Sequence, residues 1–408
     1  RRADEEAHFT GGKDVEPDYY RDHTGPFVGF RRALVEKGHT ISHVPGMHYR
    51  VFLEDAGVDY SKWFPDLTGG HDHAATGAWN IPSEYHDTAW VAGNTIEWIR
   101  GRERETEKPW FCWASFQDPH EPFVCPEPWY SSVRTDEMEL YPDYREAEFE
   151  DKPAFYKEAL DAGFGADQGH GSTGGNTQWK GFNDGNGIPS AFNRTDIRGR
   201  EAEALQATLG MVAFIDDRVG AILSALEETE QAQDTIVIFT TDHGEIHGHH
   251  GLWHKGLFAY DDNHRIPLLV WGPGAVASRG TVDALANLVD LPRTVLRLAG
   301  LEIPQGMQGV DLSPVLRGER DSVQDSTVVE LQATRKVYQQ TFITERYKLV
   351  VYRDSDDGEL YDMEEDPDQY RNLFHRPEHA ELRARLMHRF LQKHMKREGE
   401  TQPRKAFA

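Results

Sequence analysis

Apolar residues recur at helical spacing through 198–229, where Ala204, Leu205, Met211, Ile215, Ile222 and Leu226 share one face, and this predicts the longest helix of the chain. A second helix is expected over 82–100, with Pro82 near its start and Trp90, Val91, Ile96 and Ile99 as its apolar residues. Three segments read as strands. The run KPWFCWASF at 108–116 is aromatic and nearly continuous, as a buried strand would be, and 234–241 and 265–271 (RIPLLVW) are rich in β-branched and aliphatic residues. Residues 281–298 are expected to form a helix that ends near Gly300. Residues 1–80 show weak periodicity, with one short helix at 46–56, and 163–187 is a stretch of Gly, Asn and Asp that reads as loop. Strands and helices in this order predict an α/β domain over 1–310, doubly wound, with a mostly parallel central sheet and helices on both faces. After Gly309 the composition changes. Short strands at 327–331, 339–344 and 347–352, a turn at 354–358 and a helix at 377–395 predict a small C-terminal α+β subdomain over 311–408 with a short antiparallel sheet.

Composition narrows the function. The chain has 408 residues, 38% of them hydrophobic and 28% charged, as in a globular protein. Its net charge of −25 argues against non-specific nucleic-acid binding, because a polyanion would be repelled over most of the surface. A small anionic substrate is still compatible, since a local cluster of cations overrides the global field at short range. No apolar run approaches the roughly 18 residues of a transmembrane helix, so no membrane partner is expected. Cys112 and Cys125 alone make no disulfide framework. The opening RRADEEAHFTGG carries no initiator Met, leader or starting strand.

The chemistry gathers at TTDHGEIHGHHGLWHKG, residues 240–256, which follow the apolar run Ile236–Phe239. In an open α/β sheet the loops beyond the strand C-termini bind ligands. Asp242 and His243 are adjacent metal-ligand types at such a place, and Lys255 is a cation a short loop away. A lone Asp-His-Gly also reads as a helix cap beside a surface histidine, so the surrounding motifs decide.

Those motifs resemble the sulfatases of the alkaline phosphatase superfamily. The likeness rests on TTDHGE…HGLWHKG, SFQDPHEPF, RIPLLVWGPG, TGAWNIPSEYHDTAWVAGNTIEWI and ELYDMEEDPDQYRNL, and spans nearly all of 40–395. It implies a metal-dependent hydrolase of sulfate monoesters. Such enzymes begin with a strand bearing two metal-binding aspartates, then a Cys/Ser-x-Pro-x-Arg segment whose Cys or Ser becomes formylglycine, then a Gly-Lys-x-His segment. None of these is in the 408 residues, and Cys125 in CPEPW lacks the arginine of the motif. The nucleophile is therefore expected from a segment N-terminal to this chain, roughly a hundred residues long.

The resemblance gives Asp242 and His243 as metal ligands. An oxygen-dominated donor set fits calcium first, with magnesium, manganese or zinc open because of the histidine. It gives Lys255 and His120 as catalytic and substrate-binding residues. Lys255 would stabilise negative charge developing on the ester oxygens, and His120 would contact the sulfate or protonate the departing alkoxide. Gln117 and Asp118 are candidates to support His120. His247, His249, His250 and His254 flank the motif and read mainly as groups satisfying local backbone. Asp261 reads as structural, and Trp253 and Tyr260 as core. Asp216 and Asp217 fall inside the long helix, and Asn193–Thr195 matches a glycosylation acceptor. The partners implied are a small sulfate ester and the upstream segment. Phosphonate or phosphate esters are rival substrates, since the same charges would serve them. A non-catalytic relative that binds an anion or a protein is the reading of another class.

Overall fold

The computed structural model describes residues 17–36, 45–64, 76–102, 108–138, 140–141, 146–157, 199–253, 255, 258–277, 280–332 and 338–399. These fall into two compact units. The first holds the described residues up to Leu140 and those from 199 to Glu230; the second holds 141–157 and those from Gln231 onward. The expected boundary at 310/311 is not where this division falls. His254, 163–187 and Asn193–Thr195 lie outside the described residues.

In the first unit, α1 (Pro17–Asp22) and α2 (Met47–Asp55) precede β1 (Thr76–Trp79), α3 (Asp87–Gly101), β2 (Phe123–Pro126) and the long α4 (Glu201–Glu228). β1 and β2 pair in parallel, Thr76 opposite Phe123 and Trp79 opposite Pro126. Tyr49, Leu53, Phe64, Trp79, Ile81, Trp90 and Val124 form the core. Helix α4 approaches β2 where Gly210 has no side chain, and a Cβ there would lie 2.9 Å from Cys125 Sγ and 3.0 Å from the Trp129 carbonyl oxygen. Cys125 is buried beneath it, and burial pushes its thiol far above the ordinary value, which makes it inert rather than a nucleophile.

The second unit contains β3 (Val237–Thr240), β4 (Leu268–Trp271), α5 (Leu291–Leu298), strands β5 (Ser326–Gln332), β6 (Tyr338–Thr344), β7 (Tyr347–Tyr352) and β8 (Gly358–Asp362), and α6 (Ala380–Gly399). The last four strands form an antiparallel sheet in the order β5-β6-β7-β8. Strand β7 is buried on both faces. Val350 and Tyr352 enter a cluster with Phe149, Tyr156, Ile246, Leu252 and Tyr260, while Leu349 packs with Phe342, Leu360, Leu386 and Phe390, the last two from α6. This is the period-two alternation of a strand between two layers.

Four expectations need correction. Mixed α/β content holds, but the strands of 1–310 form, among the described residues, one parallel pair and one antiparallel pair. β3 pairs antiparallel with β4 because the described residues between them are loop with only short helical turns, not the crossover helix that a parallel neighbour needs. The run 108–116 is extended but forms no assigned strand among the described residues. It alternates half-buried and exposed positions, with Phe111 60% and Trp113 70% exposed, so it is not buried either. The helix expected over 281–298 begins only at Leu291. Asn287 and Asp290 make a reciprocal capping box around a short 3₁₀ turn and Pro292 sits at the helix start, a stop-and-start signal present in the sequence. Strands β1, β2 and β8 were not expected. β8 reads GELYD, and Gly, Glu and Asp are poor strand formers. The fold compensates by placing the Tyr156 hydroxyl 2.9–3.0 Å from the two carboxylate oxygens of buried Glu359, with the Tyr352 and Tyr361 hydroxyls also donating to it.

Candidate active site

Strand β3 ends at Thr240, whose hydroxyl donates to the Pro267 carbonyl at 2.8 Å and pins the strand end to the approach of β4. Asp242 and His243 follow at once, both exposed. The Asp242 carboxylate accepts from the His243 backbone N–H at 2.9 Å and from the Thr241 hydroxyl at 3.3 Å. Partial desolvation raises the Asp242 carboxyl, but the pull of His243, when it is protonated, and these hydrogen bonds outweigh it, so the group lies below the usual carboxylate value. His243 Nδ1 donates to the Gly244 carbonyl at 2.9 Å, which leaves Nε2 as the lone-pair nitrogen, 3.6 Å from Asp242 Oδ2. Metal-bound histidines are commonly oriented by such a bond from the other nitrogen, and two donors at this spacing suit one ion with bonds of ~2.0–2.2 Å. The pair therefore fits half of a mixed oxygen–nitrogen divalent site.

Gly244 explains why the motif ends as it does. Its N–H donates to the Asn263 carbonyl at 3.0 Å, and an added Cβ would sit 1.8 Å from the Asp262 carbonyl oxygen, a backbone atom. Gly244→Ala is expected to force the loop off the 261–264 turn and to weaken metal binding by at least tenfold, measured by calorimetric titration of the ion into the apo protein.

Beyond Gly244 the loop is fixed by burial. Ile246 and Leu252 are buried in the core cluster with Tyr260. His247, Gly248 and His250 all take positive φ, which coils the chain tightly. His250 is buried and stacks on Tyr260 at 3.8 Å and on His249 at 3.9 Å; His249 Nδ1 meets the Asp262 carboxylate at 3.0 Å. Trp253 is also buried, and Asp261 pairs with the buried Lys348, so both are structural as expected. Asp216 and Asp217 are both exposed on α4, and Asp217 pairs with Arg218.

Burial, aided by the charges of His249 and Lys152, pushes His250 down to about 2 from its ordinary 6.5. The unfolded chain therefore takes up this proton before the folded one. The contribution is complete above pH 6.5 and is lost as pH falls below it. Between pH 7.5 and 5 it should cost about 2 kcal/mol, and His250→Gln should lose that much less over the same interval in urea denaturation. Equal losses in both proteins would contradict the assignment.

Lys255 lies half-buried farther along the same loop. His120 belongs to the first unit, in the loop entering β2, where the peptide bonds before Pro119 and Pro122 are cis. Its Nδ1 donates to the Glu121 carbonyl at 2.6 Å and lies 3.1 Å from the Glu121 carboxylate. Glu121, not Asp118, is the carboxylate at this imidazole nitrogen. Asp118 is buried and accepts from the Thr88 hydroxyl at 3.0 Å. The Gln117 backbone carbonyl accepts from the His120 backbone N–H at 3.2 Å, a bond to the main chain and not to the imidazole.

Among the described residues, donor groups also gather in threes at two places absent from the sequence reading: His249, His250 and Asp262 in the loop just described, and His86, Asp87 and Asp118 in the first unit. In the latter, Glu36 is pushed well above the carboxylate range by burial and then by the charges of Asp87 and Asp118. The signal for it was spread over three segments with no spacing rule to connect them.

Comparison with known proteins identifies the family. Residues 29–301 match the family described as Sulfatase, and residues 248–396 match that described as N-sulphoglucosamine sulphohydrolase, C-terminal. The chain is 31% identical over 210 residues to an N-acetylglucosamine-6-O-sulfatase of Bacteroides thetaiotaomicron, covering 48% of this chain and 38% of the relative. It is 25% identical over 338 residues to an arylsulfatase of Clostridium perfringens, covering 79% and 63%. It thus spans less than two thirds of each. Among solved structures, the phosphonate monoester hydrolase of Agrobacterium radiobacter superposes with a TM-score of 0.68 at 24% identity, covering 95% of this chain and 75% of that one. The Silicibacter pomeroyi phosphonate monoester hydrolase gives 0.67 at 23%, covering 86% and 68%. At these identities the structural matches establish the fold.

Proposed function

The chain belongs to the sulfatase family, and from that premise we propose that the intact protein hydrolyses sulfate monoesters at a metal-dependent site built on Asp242 and His243. The observation that carries this reading is the geometry of that pair: an ionised carboxylate and an imidazole lone pair 3.6 Å apart, the imidazole oriented by the Gly244 carbonyl.

Asp242 and His243 would hold one side of a divalent cation, with calcium the first candidate for an oxygen-rich set completed from outside these residues. When bound, the cation supplies Lewis-acid polarisation of the ester oxygens and lowers the pKa of the attacking group. The nucleophile is expected to be a formylglycine hydrate carried by a segment N-terminal to residue 1. Lys255 supplies a fixed positive charge for the sulfuryl oxygens. His120, oriented through Nδ1 by Glu121, delivers a proton to the departing alkoxide.

The test is a panel of aryl sulfate, phosphonate monoester and phosphate diester substrates on the intact protein with and without chelator. Chelator-sensitive turnover highest on the sulfate supports the reading. Preference for the phosphonate would move the substrate class, and no turnover of any ester with metal bound would favour a binding protein.

A further inference from the structure

The first unit carries a buried polar cluster that the proposed reaction does not use. It lies where the N-terminal end of α3 meets the loop before β2 and the segment ending at Glu36. His86 and Asp87 open the helix and Asp118 comes from the loop; all three are buried, and their donor atoms lie within 4.8 Å of one another.

Hydrogen bonding inside the protein does not satisfy this cluster. His86 is fully buried, and among the described residues its Nε2 has no hydrogen-bond partner. On the other side of the ring, Nδ1 lies 2.8 Å from Asp87 Oδ1, and the Thr88 N–H, 3.2 Å away, donates to it in the tautomer that leaves Nδ1 unprotonated. If Nδ1 carries the proton, it donates to Asp87, and the Nε2 lone pair then faces Asp118 Oδ2 at 3.7 Å. If Nε2 carries it, that distance is too long for a hydrogen bond. Asp87 Oδ2 and Glu36 Oε2 are likewise buried without hydrogen-bond partners among the described residues. Two carboxylates thus flank one imidazole, and the Glu36 carboxyl is close enough to feel the charges of both; buried groups left in this state are costly unless a cation completes them.

We propose that His86 Nε2, Asp118 and Glu36 form a second divalent-cation site, structural in role, with Asp87 orienting the imidazole through Nδ1. A 3.7 Å separation between nitrogen and oxygen is what two ligands of one ion span at ~2.0–2.2 Å each. The carboxylate–imidazole–ion arrangement fixes tautomer and ring together. One imidazole with carboxylates in a closed, dry setting suits zinc, with manganese next. The ion would tie the start of α3 to the loop that carries His120, two residues beyond Asp118.

The experiment counts ions where the first site cannot contribute. Intact protein carrying Asp242→Asn and His243→Ala is loaded with zinc chloride, dialysed, and analysed by mass spectrometry for metal. One zinc per chain is expected, lost when His86→Gln or Asp118→Asn is added. Zinc should raise the melting temperature of the double variant and leave the His86→Gln triple variant unmoved. Cobalt should give visible d–d bands that vanish with His86→Gln. If a triple variant fails to fold, Glu36→Gln in the same background should weaken zinc binding at least tenfold. No ion retained by the folded double variant, or an ion indifferent to His86, Asp118 and Glu36, overturns the proposal. Both results are independent of whether the protein cleaves sulfate.

Discussion

Asp242→Asn is expected to lower kcat/KM of the intact protein on an aryl sulfate by about a thousandfold, or ~4 kcal/mol of transition-state stabilisation. The substitution keeps shape and hydrogen-bond length but removes the charge that a hard cation requires. Asn can still accept from the His243 backbone N–H through its carbonyl oxygen, so the local turn, held by that 2.9 Å bond, should survive. The loss should therefore appear as weakened metal binding rather than unfolding, and a large excess of calcium should restore part of the rate. His243→Ala should behave alike, with a smaller loss if the ion is oxygen-bound for the most part. Titration of metal against activity checks this. Unchanged turnover and unchanged metal affinity in Asp242→Asn would remove the basis of the proposed function.

What made this pair legible was its position. A β-branched run ending in Asp-His-Gly announces a strand end with metal-ligand residue types beyond it, and β3 stops at Thr240, two residues before Asp242. The antiparallel sheet of the C-terminal region was readable for the same reason, because β6 and β7 are dominated by Thr, Val, Tyr and Phe with little to contradict them. Features that depend on partners distant in sequence were not readable. β8 is a strand because three tyrosine hydroxyls satisfy Glu359, and no local pattern in GELYD says so. The segment 108–116 has the composition of a core strand, but strand formation needs a neighbour as well as a sequence. Glu121 was passed over because a glutamate between two prolines looks like surface; its role follows only from its contact with His120 Nδ1. The positive φ of His247 and His250 and the need for Gly at 244 are likewise consequences of tertiary approach.

Lys255→Met and His120→Asn should both slow the reaction, and the way they do so separates their roles. Lys255 is assigned a fixed charge against the sulfuryl oxygens, which is required whatever alcohol departs. Its removal should lower kcat by about a hundred- to a thousandfold on every sulfate ester, the range found when one electrostatic donor is lost. His120 is assigned a proton transfer, whose value depends on the leaving group. A nitrophenolate departs without help, whereas an alkoxide of a simple alcohol or sugar does not. His120→Asn should therefore lose only a few-fold on a nitrophenyl sulfate and about a hundredfold or more on an alkyl sulfate. The slope of log kcat against leaving-group pKa should steepen in His120→Asn and stay as in the native protein in Lys255→Met. Metal content should be unchanged in both. Parallel slopes for the two variants would mean that His120 acts by charge or contact alone, and the proton would then have to come from another group.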